Sequence, residues 1–359
     1  MIAINITTIN MPTMLEKLIQ NLTYYEHLED TLIVVTGDHK TPATCCVYLK
    51  ELQHKTGAEI VWMGVAQQKD FIGDNDLGEL HDYIGWNTLG RRNFGTLFAL
   101  LEGAEVIVQL DDDNVPLEHY DFYHRHDLTQ FDIFPFQRKH FTGKIRWANP
   151  LALCYRQAKH RHRGFPHGAV FSHGDLLEAP VAPIWVNEGL WIGELDVDAH
   201  FRIEDSCLHW DMPIRELTLM PGWWAPMNSQ NTSFHRALGP AMFLDSRLGR
   251  YDDIWCSYIC RKVMDLKGVS AKFGHPVCSH YQDRSIGSVV DDLRMELDGL
   301  KHTPRFIRWL EGWCYQKEDA TVREIVERMA GDLDGACYFP PGLKTWIATL
   351  DKLSLDFPA

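Results

Sequence analysis

Three consecutive carboxylates, Asp111-Asp112-Asp113, close the apolar run Val106-Ile107-Val108-Gln109-Leu110 and are followed by Asn114-Val115-Pro116. Three acids side by side repel one another, so a cation belongs among them. Hard divalent ions take carboxylate oxygen and bridge to substrate phosphates, which makes this a metal–phosphate motif. A solvated acidic turn or a helix cap is the plain alternative. Arg91 and Arg92 lie a short distance upstream, and the stretch from Ile133 to Gly174 contains no acidic residue. That stretch carries Arg138, Lys139, Lys144, Arg146, Arg156, Lys159, Arg161 and Arg163, with five histidines interspersed. It reads either as a positive field that focuses a polyanion or as a solvated loop. Asp252 and Asp253 open an apolar segment at helical spacing, where acids suit the helix dipole. They read as caps or as carboxylates on a pocket wall.

These groups need a scaffold. Ala3–Ile9, Thr31–Thr36, Glu59–Val65 and the run ending at Asp111 read as strands. Helices are expected around Leu15–Leu22, over Ala43–Leu52 and over Asn87–Leu101. Alternating strands and helices over the first part of the chain predict an α/β fold with a doubly wound, mostly parallel sheet. Ligands of such sheets bind beyond the carboxyl ends of the strands, where the triple Asp falls. No GxGxxG or GxxxxGK[ST] loop follows the first strand, which disfavours a dinucleotide fold or a P-loop. Asp196 and Asp198 read as hydroxyl-binding groups or as a turn. Met220–Ala241, with Trp223, Trp224, Asn228, Gln230 and Asn231, reads as a pocket wall suited to a carbohydrate or as a structural loop. Phe273–Tyr281 reads as extended. Val289–Leu297, Pro304–Trp313, Thr321–Ala330 and Leu343–Leu353 read as helices. The expected organisation is a catalytic domain over 1–285 with a helical extension, 286–359, packed on it.

The chain has 359 residues and a formal net charge of −14. Nucleic-acid binders usually carry basic surfaces, so nucleic acid is not an expected partner. No apolar run is long enough to span a bilayer, and the amino terminus lacks the basic and apolar regions of a signal peptide. The nine cysteines have no framework spacing and read as free thiols in a reducing compartment. The chain is therefore expected to be cytoplasmic.

The order of motifs resembles that of the reversibly glycosylated polypeptides, the family that includes plant UDP-arabinopyranose mutases. Asp111-Asp112-Asp113-Asn114-Val115-Pro116 is similar to the family's Asp-Asp-Asp-Cys-Val-Pro, and Arg163-Gly164-Phe165-Pro166 to its Arg-Gly-Tyr-Pro. Gly189-Leu190-Trp191, Asp196-Val197-Asp198-Ala199, Gly239-Pro240-Ala241 and Arg250-Tyr251-Asp252-Asp253-Ile254-Trp255 follow in the same order. The resemblance runs from about Ile4 to about Gly312. It implies a GT-A-like, Rossmann-related domain that binds a UDP-sugar with Mn²⁺ or Mg²⁺. Asp111, Asp113 and His280 would hold the metal. Asp111 and Asp112, Thr7, Asn10, Asp38, Arg91 and Arg92 would bind the nucleotide, and Arg163, Asp252 and Asp253 would act in catalysis. Arg163 matches the arginine that the family glycosylates reversibly. The family's second arginine, seven residues on, is Val170 here.

Cleavage between an anomeric carbon and a diphosphate leaves charge on the phosphate, which the metal and the arginines stabilise. Asp252 or Asp253 would steady an oxocarbenium-like sugar or move a proton. A guanidinium stays protonated throughout the working pH range, so Arg163 reads first as a diphosphate-binding cation and second as a covalent carrier. The leading expectation is a UDP-sugar mutase interconverting pyranose and furanose forms. The alternatives are a glycosyltransferase acting on a glycan, lipid or small-molecule acceptor, and a non-catalytic sugar-nucleotide-binding subunit. Homo-oligomerisation through the helical extension is a further expectation.

Overall fold

The computed structural model describes residues 1–129, 145–153, 160–169, 183–204, 209–210, 216–282, 284–317, 319–337 and 340–357. The amino-terminal half runs β1 (Ile2–Thr7), α1 (Leu15–Tyr24), β2 (Thr31–Thr36), α2 (Cys45–Thr56), β3 (Glu59–Met63), α3 (Val65–Asp74), α4 (Gly78–Ile84), α5 (Arg92–Leu101) and β4 (Val106–Asp111). Then come β5 (Asn114–Pro116), α6 (Phe122–His126), β6 (Arg146–Trp147), β7 (Ile184–Glu194), α7 (Ala199–Glu204), β8 (His209–Trp210), β9 (Leu217–Leu219) and β10 (Trp223–Trp224). The chain closes with β11 (Asn231–His235), α8 (Asp252–Lys267), β12 (Ser270–His280), α9 (Ile286–Gly312), α10 (Val322–Leu333) and α11 (Gly342–Lys352).

The main sheet has the order β3-β2-β1-β4-β11-β7-β12-β5. Its first four strands are parallel. Beyond them β11 runs antiparallel to both β4 and β7, while β7 and β12 are parallel. The α/β, doubly wound expectation is met, with an unbroken run of parallel strands over the first four and mixed pairing beyond them. Alternate residues of β1 and β4 enter different cores. Ile2, Ile4, Ile6, Val106, Val108 and Leu110 join one apolar cluster, and Ala3 and Ile107 the other. That is the alternation expected of a strand covered on both faces.

The carboxy-terminal helices share the second of these cores. Phe306, Leu310, Ile325, Met329, Trp346 and Leu350 lie in one cluster with Leu97, Trp255 and Phe273. Where two helices are expected over Val289–Trp313, a single helix of 27 residues runs through Pro304. Proline removes one backbone donor and disfavours a helix interior. Here buried residues on either side, Thr303, Phe306, Ile307 and Leu310, hold the helix against the core. The third strand ends at Met63 rather than Val65, because Val65 starts α3. Among the strands not read from the sequence, two lie at the centre of the sheet: β7, in the predicted Trp191 region, and β11, in the predicted irregular wall.

Candidate active site

The strand order turns at β1, which has β2 on one side and β4 on the other. The crevice at such a switch point is where ligands of α/β sheets bind. Register places Thr7 beside Asp111 at its mouth. Arg92, the first residue of α5, fills the space between them. It donates through Nε to Thr7 Oγ1 at 3.2 Å, through one terminal nitrogen to Ser229 Oγ at 2.8 Å, and through the other to the Asp111 carboxylate. Burial pushes the Asp111 carboxyl up and Arg92 pulls it down, leaving it raised. Asp112 accepts from the Thr8 hydroxyl and, at 3.3 Å, from the Asn10 amide.

Asp113 looks the other way. The antiparallel pairing of β5 with β12 sets Asn114 opposite His280. Asp113 Oδ2 then lies 3.6 Å from His280 Nε2, and Gln282 donates to the same oxygen. His280 Nδ1 is 3.3 Å from the Glu194 carbonyl. Imidazoles that bind metals are commonly oriented by such a backbone partner on the opposite ring nitrogen, leaving Nε2 toward the ion.

Of the predicted metal set, Asp113 and His280 come together, while Asp111 is engaged by Arg92. Among the described residues no three His, Cys, Asp or Glu side chains gather into one metal-ligating group. One carboxylate and one imidazole still fit a hard divalent ion. Such ions use one or two protein carboxylates and complete their shell with water and substrate phosphate.

A second cluster is built around Arg163, whose side chain is 5% exposed. Its Nε donates to Asp196 at 2.9 Å. Its terminal nitrogens donate to both oxygens of Asp253, at 2.9 and 2.7 Å, and to the Arg250 carbonyl. A guanidinium has five N–H groups in a fixed fork, and four of them are engaged. Burial would lower the Arg163 pKa, but Asp196 and Asp253 hold it well above its usual value. Asn228 Nδ2 donates to Asp196 at 2.8 Å and the Ser229 N–H to Asp253 at 3.2 Å. Ser229 therefore joins the Arg163 cluster to Arg92 and Asp111.

Asp252 is the odd member. It is 4% exposed in the first turn of α8 and accepts from the Asp253 N–H at 2.8 Å. Burial, then the charge of Asp253, pushes its carboxyl up to about 7.

The remaining predicted residues are placed less centrally. Asp38 accepts from the backbone N–H groups of His39, at 2.7 Å, and Asn87, at 2.6 Å, and so ties two loops together. Arg91 turns away from the carboxylates. It lies fully buried between the Trp86 and Phe94 rings and donates to Gln68 and His81. Arg91 is thus engaged by Gln68, His81 and the two rings, while Arg92 is the arginine that meets Asp111. Asp198 accepts from Tyr251 at 2.6 Å and from the Gly164 N–H at 3.0 Å. The structure thus uses Asp196 and Asp198 internally. The described residues cover the expected basic block only in part: Arg138, Lys139, Lys144, Arg156, Lys159 and Val170 lie outside them. Within it, Arg163 is buried and Arg146 faces Trp223.

Sequence reasoning missed two features. His162 and Glu188, both fully buried, pair at 2.8 Å. Burial would lower the His162 pKa, but Glu188 outweighs it and raises it to about 9. A ring of ion pairs joins Arg250 to Glu296 and Asp292, Arg284 to Asp292 and Glu194, and Arg202 to Glu194. It fastens α9 to the Arg163 cluster, since the Arg250 carbonyl is an Arg163 acceptor. Only spacing along α9, Asp292 to Glu296, hinted at it.

The mixed α/β scaffold thus gathers acids and arginines at a strand-order switch, the place where ligands of such sheets bind. The sequence pattern of the family described as reversibly glycosylated polypeptide matches residues 74–334; the chain belongs to that family. It is 28% identical over 227 residues to "Probable UDP-arabinopyranose mutase 1" of Solanum tuberosum, covering 58% of each chain. It is 26% identical over 226 residues to "UDP-arabinopyranose mutase 3" of Arabidopsis thaliana, covering 57% of this chain and 58% of that one. The chain thus matches less than two thirds of the length of these curated relatives. Among solved structures, glucosyl-3-phosphoglycerate synthase of Mycobacterium tuberculosis, in complex with Mn²⁺, UDP-glucose and phosphoglyceric acid, aligns at 12% identity. Its TM-score is 0.42, over 88% of this chain and 81% of that one.

Proposed function

We propose that this chain binds a UDP-sugar with a divalent cation and interconverts its pyranose and furanose forms, as the names of its relatives suggest. The observation that carries the reading is the convergence, at one switch point, of Asp113 with His280, Arg92 with Asp111, and Asp252 beside the Arg163–Asp253 pair. Asp113 and His280 would hold Mn²⁺ or Mg²⁺, which would neutralise the diphosphate. Thr7, Thr8, Asn10 and Asp38 rim the same strand ends and suit the nucleoside.

Ring contraction has a simple proton balance. The bond from C1 to the diphosphate oxygen breaks, the electron pair leaving with the diphosphate. The C4 hydroxyl closes on C1 and loses its proton; the bond from C1 to the old ring oxygen then breaks, and that oxygen, still on C5, takes up a proton. The sugar then takes back the same diphosphate oxygen. One residue that accepts a proton and returns it suffices, and it serves best with a pKa near neutrality. Asp252, held near 7, matches that requirement. Arg163 is spent on Asp196 and Asp253, so its role is to fix the carboxylate beside Asp252. That arrangement supports its reading as a cation and not as a covalent carrier.

Incubation of the protein with Mg²⁺ and UDP-arabinopyranose, followed by NMR, tests the reading. The expected outcome is furanose with UDP still attached, lost in Asp113→Ala. Unchanged binding and turnover in Asp113→Ala would sink it. The engagement of Arg163, together with Val170, favours a second reading: transfer of the sugar to a separate acceptor. Slow release of free UDP and sugar without isomerisation would select it.

A further inference from the structure

A row of buried polar side chains crosses the sheet below the site. Asn5 of β1 is in register with Gln109 of β4, Gln109 with Thr232 of β11, and Thr232 with Glu188 of β7. Residues directly opposite on adjacent strands project to one face, so the four form a strip roughly 14 Å long at ~4.8 Å per strand gap. None is more than 2% exposed. Asn5 Oδ1, both amide atoms of Gln109, Thr232 Oγ1 and Glu188 Oε2 have no hydrogen-bond partner within the protein. The other ends of the strip are engaged. Asn5 Nδ2 donates to the Arg92 carbonyl at 2.9 Å, and Glu188 Oε1 meets His162 at 2.8 Å.

Buried polar groups in native proteins are almost always hydrogen-bonded, to protein or to ordered water. One bare group would be a local irregularity. Four neighbours in register, contributing donors and acceptors to the same strip, have the two to four polar partners that an internal water requires. Gln109 stands at the centre and is the only polar residue of β4 before Asp111. An apolar residue there would serve a dry core better.

We propose that this strip is an internal hydration site. Ordered water molecules bridge Gln109, Thr232 and Glu188 Oε2, and form a wet floor beneath the Arg92–Asp111 and Arg163–Asp253 pairs. The water supplies Glu188 with donors on the oxygen that His162 does not reach.

The test is independent of what the protein binds. A crystal structure of the full chain, at a resolution that shows ordered solvent, should reveal water within hydrogen-bonding distance of Gln109 and of Glu188 Oε2. Gln109→Leu and the nearly isosteric Thr232→Val are then melted beside the parent. With water in place, each variant strips a partner from it, and Tm falls by roughly 2 °C or more. In a dry strip each variant removes a bare polar group, and Tm rises. An empty strip in the density, or a higher Tm for both variants, overturns the proposal.

Discussion

Asp252 and Asp253 are neighbours in the chain and occupy opposite chemical situations. Asp253 accepts two hydrogen bonds from Arg163 and two more from backbone N–H groups, of Ser229 and Ile254. Asp252 has the Asp253 N–H, while the charge of Arg163 reaches it only as a weaker influence than burial and Asp253. A buried carboxylate raised toward neutrality is a candidate for acid–base work. Asp252→Asn is expected to lower kcat by about 10²–10⁴-fold with UDP binding retained. A group held near 7 that must start ionised gives a rate that falls as pH drops below about 7. That acid limb should vanish in Asp252→Asn and persist in a variant remote from the site. A pH–rate profile of the two proteins that kept the same limb would remove Asp252 from the mechanism.

At the scale of elements, legibility in the sequence followed the apolar pattern. β1, β2 and β4 are short apolar runs, so their positions and the strand-end location of Asp111–Asp113 could be read directly. β7 and β11 could not. The first includes Asn187, Glu188, Gly189 and Gly193, and the second reads Asn-Thr-Ser-Phe-His. Both bury polar groups in the sheet interior, which conceals the usual strand signal. His162 was hidden for a related reason: it belongs to a basic stretch, and its partner Glu188 is 26 residues away. Arg91 and Arg92 are adjacent and were read alike, yet the start of α5 sends them to opposite flanks. The single helix α9 was missed because Pro304 marks a boundary by local rules. Glycines offer a direct test of how tightly α9 is seated. A Cβ at Gly299 would fall 2.1 Å from Tyr251 Cγ, whereas at Gly331 in α10 nothing lies within 4 Å. Overpacking costs about 1–3 kcal/mol, and replacing a helical glycine by alanine returns up to ~1 kcal/mol. Gly331→Ala should therefore raise Tm and Gly299→Ala lower it. Gly299→Ala should also weaken activity, because Tyr251 donates to Asp198, which holds the Gly164 N–H beside Arg163. Equal shifts of Tm in the two variants would show that α9 is not seated against Tyr251.

For the whole molecule, the dominant electrostatic feature is how much charge is held inside. Arg163, Asp196, Asp253, His162, Glu188, Arg92 and Arg261 are all under a tenth exposed. Removing one partner of such a pair costs more than the pair itself contributes, because the other charge is left buried and alone. The carboxy-terminal helices close this interior. α9 supplies Asp292 and Glu296 to the arginines around the site, and α10 and α11 complete the core behind it. On this basis the helices share the core and the ion pairs of the sheet, and deleting residues 286–359 would expose both. Among the described residues no helix is long and apolar enough to cross a membrane. The pH dependence of stability follows from the same interior. His162 is raised to about 9 in the folded protein, against ~6.5 in an unfolded chain. A raised value means that the folded state binds the proton more tightly. The contribution is then complete below about 6.5, declines as pH rises, and is gone above about 9. Its upper limit is roughly 3 kcal/mol. Glu188 acts in the same sense from a more acidic starting point: burial raises its pKa from 4.5, so its loss begins at acid pH, below the range where the His162 contribution starts to decline. Thermal melting of the parent across pH 6 to pH 10 should show Tm falling through that window. The double variant His162→Gln, Glu188→Gln should start lower at pH 6 and fall less, because it has no imidazolium to lose. Parallel curves for the two proteins would mean that His162 is neutral in the fold, and that the pair is an ordinary hydrogen bond.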